Sequence, residues 1–280
     1  ARLAMGLDPD RAHQHALDAS AADPGAGVTA VLCQAKLAAG HAEEAARLAE
    51  GLERDWPNDQ QATALLGTAW RMLGDPRYYE LYDYERLVRR YTLETPGWAN
   101  QADWLTDLAA ALNGQHGMRT HPVGQSLRHG SQTSEMLTRS KDRAIQAFFT
   151  SLDKPIGDYM AMLGKTDDRL GRRVTGRYRF AGAWSVRLRP GGHHVNHIHQ
   201  LGWISSAFHV ETPAAIETGQ QGWLSFGEPG LPTRPPLPAE HFVKPIAGDL
   251  VLFPSYMWHG TLPFEGEAAR LTIAFDAVPA

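Results

Sequence analysis

Pro190-Gly191-Gly192-His193-His194-Val195-Asn196-His197-Ile198-His199 is the stretch on which the reading of this chain turns. In an extended backbone, residues i and i+2 project to one face, so His197 and His199 can both reach a single metal ion. His193 and His194 come earlier, beside the Gly191-Gly192 pair, and are expected to flank such a site rather than line it. About 60 residues on, Phe253-Pro254-Ser255-Tyr256-Met257-Trp258-His259-Gly260 brings another histidine to a strand end. Arg270 lies eleven residues beyond His259 and is followed by Thr272 on the same strand face. Neutral imidazole suits iron, zinc, copper or nickel. A planar, permanently charged guanidinium suits a carboxylate. These residues alone mark a metal site with an anion anchor.

Outward from that stretch, residues 179–188, 203–210, 222–226, 249–253 and 270–275 alternate apolar and polar side chains in the manner of strands. Short strands punctuated by glycine and proline predict an antiparallel sandwich or barrel. The proline-rich segment 228–238 is expected to be a surface loop, and Asp249, after Gly248, a strand-opening turn. Upstream the character changes. Residues 1–110 are rich in Ala, Leu, Glu and Arg and poor in β-branched residues, which favours helix. The run from Val31 ends on Gly40, a residue suited to a helix C-terminus, and a second helix starts at His41 and closes at Asp55-Trp56-Pro57. Pro24 and Pro57 lie 33 residues apart, with Ala16 and Ala49 eight residues before each. A third unit starts at Gln61 and runs past Gly74-Asp75.

A period near 34 with small residues at helix crossings resembles the tetratricopeptide repeat. The plain alternative is an ordinary antiparallel helical bundle. Two repeats are fewer than a solenoid needs, so the unit is expected to be the remnant of a longer array. The predicted fold is α+β: helical repeats over 1–110, a connecting loop and long helix (from Ala144 to Met162) within 111–175, and a β domain over 176–280.

Composition excludes several classes. A chain of 280 residues with a net charge of −4 lacks the basic footprint of a nucleic-acid binder. No apolar run approaches a membrane span of about 20 residues. One cysteine, Cys33, rules out an intramolecular disulfide and points to a reducing, cytoplasmic setting. What composition leaves unexplained is histidine: of 13, seven fall between His193 and His259.

The second half resembles the 2-oxoglutarate/Fe(II)-dependent dioxygenases, whose core is a double-stranded β-helix of the jelly-roll, cupin-like type. His197-Ile198-His199, Gly248-Asp249-Leu250-Val251-Leu252-Phe253-Pro254, His259 and Arg270-Leu271-Thr272 carry the likeness. Asn196 through His199, Gly222 through Gly227 and Gln125 through Thr133 resemble, more narrowly, a bacterial group of such oxygenases that follow tetratricopeptide repeats. One feature departs from the superfamily pattern: His199 stands where an Asp or Glu is usual. Two roles are open to it, a third metal ligand or a pocket-lining residue beside a two-histidine site completed by water. Aspartyl/asparaginyl β-hydroxylases similarly lack that carboxylate.

The resemblance implies a hydroxylase of a peptide or protein side chain, with Fe(II), 2-oxoglutarate and O2. His197, His259 and His199 are the implied iron ligands, and Arg270, helped by Thr272, pairs with the far carboxylate of 2-oxoglutarate. Gln125, Arg128, Trp203 and Trp223 are candidate substrate-pocket residues. The helical half is the expected groove for a peptide or protein partner, with the aromatic run Tyr78 to Tyr84 as groove or core. Two other classes stand beside this reading: a three-histidine dioxygenase that does not use 2-oxoglutarate, and a non-catalytic binding module.

Overall fold

A computed structural model describes residues 5–23, 25–95, 97–117 and 124–280; Pro24 and the start of the polar segment at His121-Pro122-Val123 lie outside them. Four helices of 14 residues come first: α1 (Pro9–Ala22), α2 (Ala26–Ala39), α3 (Ala42–Asp55) and α4 (Gln60–Leu73). Asp8 and Asp59 cap α1 and α4 by accepting backbone N–H bonds, and Gly40 and Gly74 close α2 and α4 at φ of 90° and 67°. Left-handed backbone of this kind costs glycine nothing and other residues strain, so both helix ends are written in the sequence. α3 starts 33 residues after α1, and α4 34 after α2. Their crossings are lined by small side chains with no exposure, among them Ala12, Ala16, Ala35, Ala45, Ala49 and Ala64. At Gly67 a Cβ would meet Tyr82 Cε2 at 2.7 Å, so only glycine lets that ring lie against α4.

Short helices α5 (Arg77–Leu81) and α6 (Tyr84–Leu87) lead into β1 (Arg89–Thr92), a strand inside the stretch expected to be helical throughout. It enters a six-stranded antiparallel sheet. α7 (Gln101–Asn113) and β2 (Leu127–Gln132) follow, the latter a strand where only polar turns were expected. The expected long helix from Ala144 is two helices, α8 (Arg143–Thr150) and α9 (Asp153–Leu163). Pro155 explains the break, because its ring would clash with the carbonyl of Ser151 in a continuous helix.

The remaining strands are β3 (Tyr178–His194), β4 (Ile204–Glu211), β5 (Leu224–Phe226), β6 (His241–Val243), β7 (Asp249–Pro254), β8 (His259–Thr261) and β9 (Arg270–Pro279). The larger sheet runs β1-β7-β4-β9-β3-β2 and the smaller β6-β5-β8, a jelly-roll arrangement. Asp249 opens β7 as expected and accepts from Thr92 Oγ1 at 2.8 Å, which ties β1 to the sheet.

On β9 the odd residues Leu271, Ile273 and Phe275 are buried toward the helices, where Phe275 and Phe208 pack on Phe148 with centroids 6.3 and 4.9 Å apart. Trp104 of α7 closes the same layer, 5.6 Å from Phe208. Burial of each such ring contributes on the order of 1.5–3 kcal/mol. One continuous core joins these rings to α2–α4.

The helices also hold the loop that precedes His259. Trp258 Nε1 donates to Thr68 Oγ1 at 2.9 Å, and Tyr256 Oη donates to the Leu81 carbonyl at 2.8 Å. Arg71 reaches across to the Gly227 and Pro238 carbonyls at 2.9 and 2.8 Å. Tyr78 and Tyr82 of the aromatic run are buried here, whereas Tyr79 is exposed, so most of that run is core. Among the described residues no helix is long and apolar enough to cross a membrane.

Candidate metal centre and anion pocket

β3 continues through Gly191 and Gly192 to His194, so the glycine pair forms a bulge within the strand, opposite His129, rather than a turn between strands. A Cβ at Gly192 would lie 2.6 Å from the Arg189 carbonyl and 2.9 Å from that of His129, so close backbone approach explains the residue. Beyond His194 the chain leaves the sheet and makes one isolated antiparallel bridge. His197 N–H donates to the His259 carbonyl at 2.9 Å, and His259 N–H returns the bond at 3.0 Å. Directly opposed residues of such a pair point to one face. That single bridge brings together histidines about 60 residues apart in sequence. His199, two residues on, falls on the same side, with its N–H on the Ser255 carbonyl at 3.0 Å.

Ring centroids are 4.3 Å apart for His197 and His259, 5.1 Å for His197 and His199, and 5.0 Å for His199 and His259. One nitrogen from each lies within 4.8 Å of the others, and the Nε2 atoms of His197 and His199 are 3.2 Å apart. Metal–imidazole bonds of about 2.1 Å at right angles place neighbouring nitrogens roughly 3 Å apart, so the spacing suits a shared ion.

The opposite ring nitrogens are all occupied. His197 Nδ1 donates to the Val195 carbonyl at 2.8 Å, His259 Nδ1 to the Met257 carbonyl at 2.9 Å, and His199 Nδ1 to Asp276 Oδ1 at 2.5 Å. A carbonyl or carboxylate only accepts, so each Nδ1 carries the proton and each Nε2 is the nitrogen left for a ligand. Burial, then the nearby His199, pushes His197 down to about 3. Burial, then His197, holds both His259 and His194 well below the usual histidine value. Neutral imidazoles at neutral pH are the form a metal binds. His194 flanks the set through Ser126, whose Oγ lies 3.0 Å from His194 Nδ1 and 3.3 Å from His197 Nε2.

The three histidines open into a cavity of about 670 Å³ between the two sheets, and Arg270 and Thr272 line it too. Arg270 is 2% exposed, yet its Nε and Nη1 have no hydrogen-bond partner among the described residues; Nη2 lies 3.5 Å from His209 Nδ1. Burial pushes the guanidinium down to about 10, and burial followed by Arg270 lowers His209 far below its usual value. A buried cation with two unanswered donor groups is costly unless an anion joins it.

Of the other sequence candidates, Gln125 and Arg128 line the cavity, with Arg128 Nη1 donating to the Gln125 and Leu127 carbonyls at 2.8 and 2.9 Å. Trp203 and Trp223 are not brought there. Trp203 is wholly buried in the core, and Trp223 Nε1 donates to the Ile216 carbonyl at 3.0 Å. Sequence reading passed over Trp184, Leu201 and Asp276, which all line the cavity. The signal for Asp276 was present: Arg270, Thr272, Ala274 and Asp276 are alternate residues of one strand and share its cavity face.

Residues 182–276 match the family described as "Putative 2OG-Fe(II) oxygenase". This stretch of the β domain is thus similar to the 2-oxoglutarate/Fe(II)-dependent oxygenases, a class whose cofactors are Fe(II), 2-oxoglutarate and O2. No curated protein matches the chain. Among solved structures the chain is similar to a viral collagen prolyl hydroxylase from Paramecium bursaria Chlorella virus-1, bound to 2-oxoglutarate. That match has 13% identity and a TM-score of 0.46, covering 69% of this chain and 97% of that one. It is also similar to a Pseudomonas putida prolyl-4-hydroxylase, with 17% identity, a TM-score of 0.44 and coverage of 69% and 95%. A third match is a Trichoplax adhaerens prolyl hydroxylase bound to a hypoxia-inducible-factor peptide, with 14% identity, a TM-score of 0.47 and coverage of 75% and 92%.

The bridge gives a direct prediction. A Cβ at Gly260 would stand 2.4 Å from Asn196 Oδ1 and 2.8 Å from the His194 carbonyl. Gly260→Ala is expected to cost about 1–3 kcal/mol through overpacking and to push the His197 segment away from His259. Urea denaturation measures the first effect and Co(II) affinity the second; unchanged affinity would show that the bridge does not set the cluster.

Proposed function

We propose that the chain hydroxylates a side chain of a peptide or protein, with iron held by His197, His199 and His259 through Nε2. Arg270 binds the far carboxylate of 2-oxoglutarate, and Thr272 lies beside it on β9. The observation that carries this reading is the sharing of one cavity by three Nδ1-anchored imidazoles and a buried guanidinium with unanswered donors. When bound, Fe(II) with 2-oxoglutarate and O2 supplies the oxidation: the keto acid loses CO2 to become succinate, and one oxygen atom enters a substrate C–H bond. The protein's part is to fix ligands and exclude water. Phe253 lies edge-on to His259 at 4.6 Å and Trp184 is tilted against His199 at 5.6 Å, which gives the site dry walls.

The peptide part rests on the cavity mouth and on the helices. Leu201 is 86% exposed and Val195 37%, and both line the cavity, an apolar lip open to a large substrate. Leu201→Ser is expected to raise KM severalfold with kcat little changed, because the lip binds substrate and transition state alike. An equal loss in kcat would place Leu201 nearer the chemistry. The 33- and 34-residue spacings of α1–α4 support a tetratricopeptide-type array, and we assign substrate recruitment to that layer. A cytoplasmic location is part of the proposal, on the buried, unpaired Cys33.

The test is an anaerobic titration with Fe(II) and then 2-oxoglutarate, read by the weak visible charge-transfer band, followed by succinate and oxygen measurements with candidate peptides. The expected result is a band that is lost in His197→Ala, and succinate formed one for one with oxygen consumed. Oxygen uptake without succinate would favour a three-histidine dioxygenase of another kind. Failure of the wild type to bind iron would favour a binding module.

A further inference from the structure

We propose that Asp276 is the positioning residue of the third ligand: it holds His199 so that Nε2 faces His197 and His259, and it restores behind the imidazole the negative charge that a directly ligating carboxylate would have brought. The inference rests on the three-histidine reading above and extends it to a residue outside the motif.

The geometry is built for this role. Asp276 Oδ1 accepts from His199 Nδ1 at 2.5 Å and from Ser205 Oγ at 2.7 Å, and Ser205 Oγ meets Ser255 Oγ at 2.8 Å. Ser205 and Ser255 are wholly buried and Asp276 is 8% exposed, so the carboxylate is fixed from behind by groups that have nowhere else to turn. Register explains the convergence: Ser205 of β4 is the direct partner of Asp276 across the β4–β9 ladder. Close packing guards the arrangement, since a Cβ at Gly202 would meet Ser255 Oγ at 2.2 Å and Asp276 Cγ at 3.3 Å.

His197 and His259 are oriented by main-chain carbonyls two residues before each of them. Of the three, only His199 has its Nδ1 held by a side chain, so its placement is the one that a substitution at that partner can remove without touching the backbone. An ionised partner also makes the strongest of the three bonds and raises the donor strength of the imidazole. Loss of such an outer partner typically weakens metal binding about 10- to 100-fold.

The test uses Co(II) alone, with affinity measured by chelator competition and coordination read from the visible d–d spectrum. Asp276→Asn is expected to weaken Co(II) binding about 10- to 100-fold and to alter the spectrum. In a His199→Ala background the same substitution is expected to cost nothing further, because Asp276 acts through His199. Ser205→Ala keeps the carboxylate but frees it, and is expected to give a smaller loss of the same kind; it also serves if Asp276→Asn folds poorly. Wild-type affinity and spectrum in both variants would overturn the proposal, as would an equal loss with and without His199. If the wild type binds Co(II) no better than His197→Ala does, the three-histidine reading itself falls, and that outcome is distinct from either of the others.

Discussion

Arg270→Met is expected to weaken 2-oxoglutarate binding severely and, in the ligand-free protein, to raise the melting temperature. Both effects follow from one fact: the guanidinium is 2% exposed and two of its nitrogens have no partner among the described residues. Truncating one side of a buried, hydrogen-bonded charge pair costs about 2–5 kcal/mol, so affinity for the keto acid should fall roughly 30-fold at least and up to several thousandfold. Without the ligand the balance reverses. Burial pushes this guanidinium down to about 10, a penalty on the order of 3 kcal/mol for keeping the charge. Methionine fills similar space with no charge to desolvate, and for a chain of this size a gain of even 1 kcal/mol corresponds to roughly 2–4 °C. Arg270→Lys keeps the charge but loses the planar fork, so it should bind 2-oxoglutarate weakly and show no stabilisation. Titration calorimetry and thermal melts read the two arms. Undiminished 2-oxoglutarate affinity in Arg270→Met would remove Arg270 from the site, and an unchanged or lowered melting temperature would mean that the charge is answered in the free protein. A site that destabilises its own empty state is the usual cost of preorganised binding.

How much of this was legible beforehand depends on the range of each signal. The helix end at Gly40 was read locally, whereas Gly74, which the third unit was expected to run past, closes α4 by the same left-handed conformation. The spacing of two between His197 and His199 was enough to place them on one side, although the segment is a single bridge rather than a strand. Register across the fold was invisible. Nothing in sequence says that His197 pairs with His259, or that Asp276 reaches His199, because one is an isolated long-range bridge and the other a side-chain contact set by the β4–β9 register. The same holds for β1 and β2, short segments whose strand identity comes from pairing with β7 and β3. Trp203 went to the core and Trp223 is half-buried away from the cavity, because area burial does not distinguish a pocket wall from packing. The long helix expected from Ala144 proved to be two for a local reason that could have been read, since Pro155 cannot follow four helical residues without a break.

In the metal-free protein, acid should unfold the chain earlier than carboxylate titration alone would. His194, His197, His209 and His259 are all held below the usual histidine value, in each case chiefly by burial. The sign is fixed by which state takes the proton. An unfolded histidine takes one up near pH 6.5, whereas the folded ones resist, His197 down to about 3. The unfolded state therefore binds more protons as pH falls below about 6.5, and stability declines from there until the folded groups titrate in turn. Each histidine contributes up to about 1.4 kcal/mol per pH unit inside that window, so the four together approach about 5 kcal/mol per unit. Against a total stability of about 5–15 kcal/mol, that slope exhausts the fold within roughly one to three pH units. Acidic side chains begin to matter only near pH 4, so the range from 6.5 to 5 isolates the imidazoles. Thermal melts in EDTA should show a steep fall across that range. His259→Asn, which removes one of the four, should make the fall shallower. Excess Co(II) should move the whole curve to lower pH, because an ion held by His197, His199 and His259 stabilises the folded state according to its concentration relative to Kd. A flat melting temperature between pH 7 and 5 in EDTA would mean that these imidazoles are not kept neutral by the fold. A curve that Co(II) fails to move would detach the cluster from metal binding altogether.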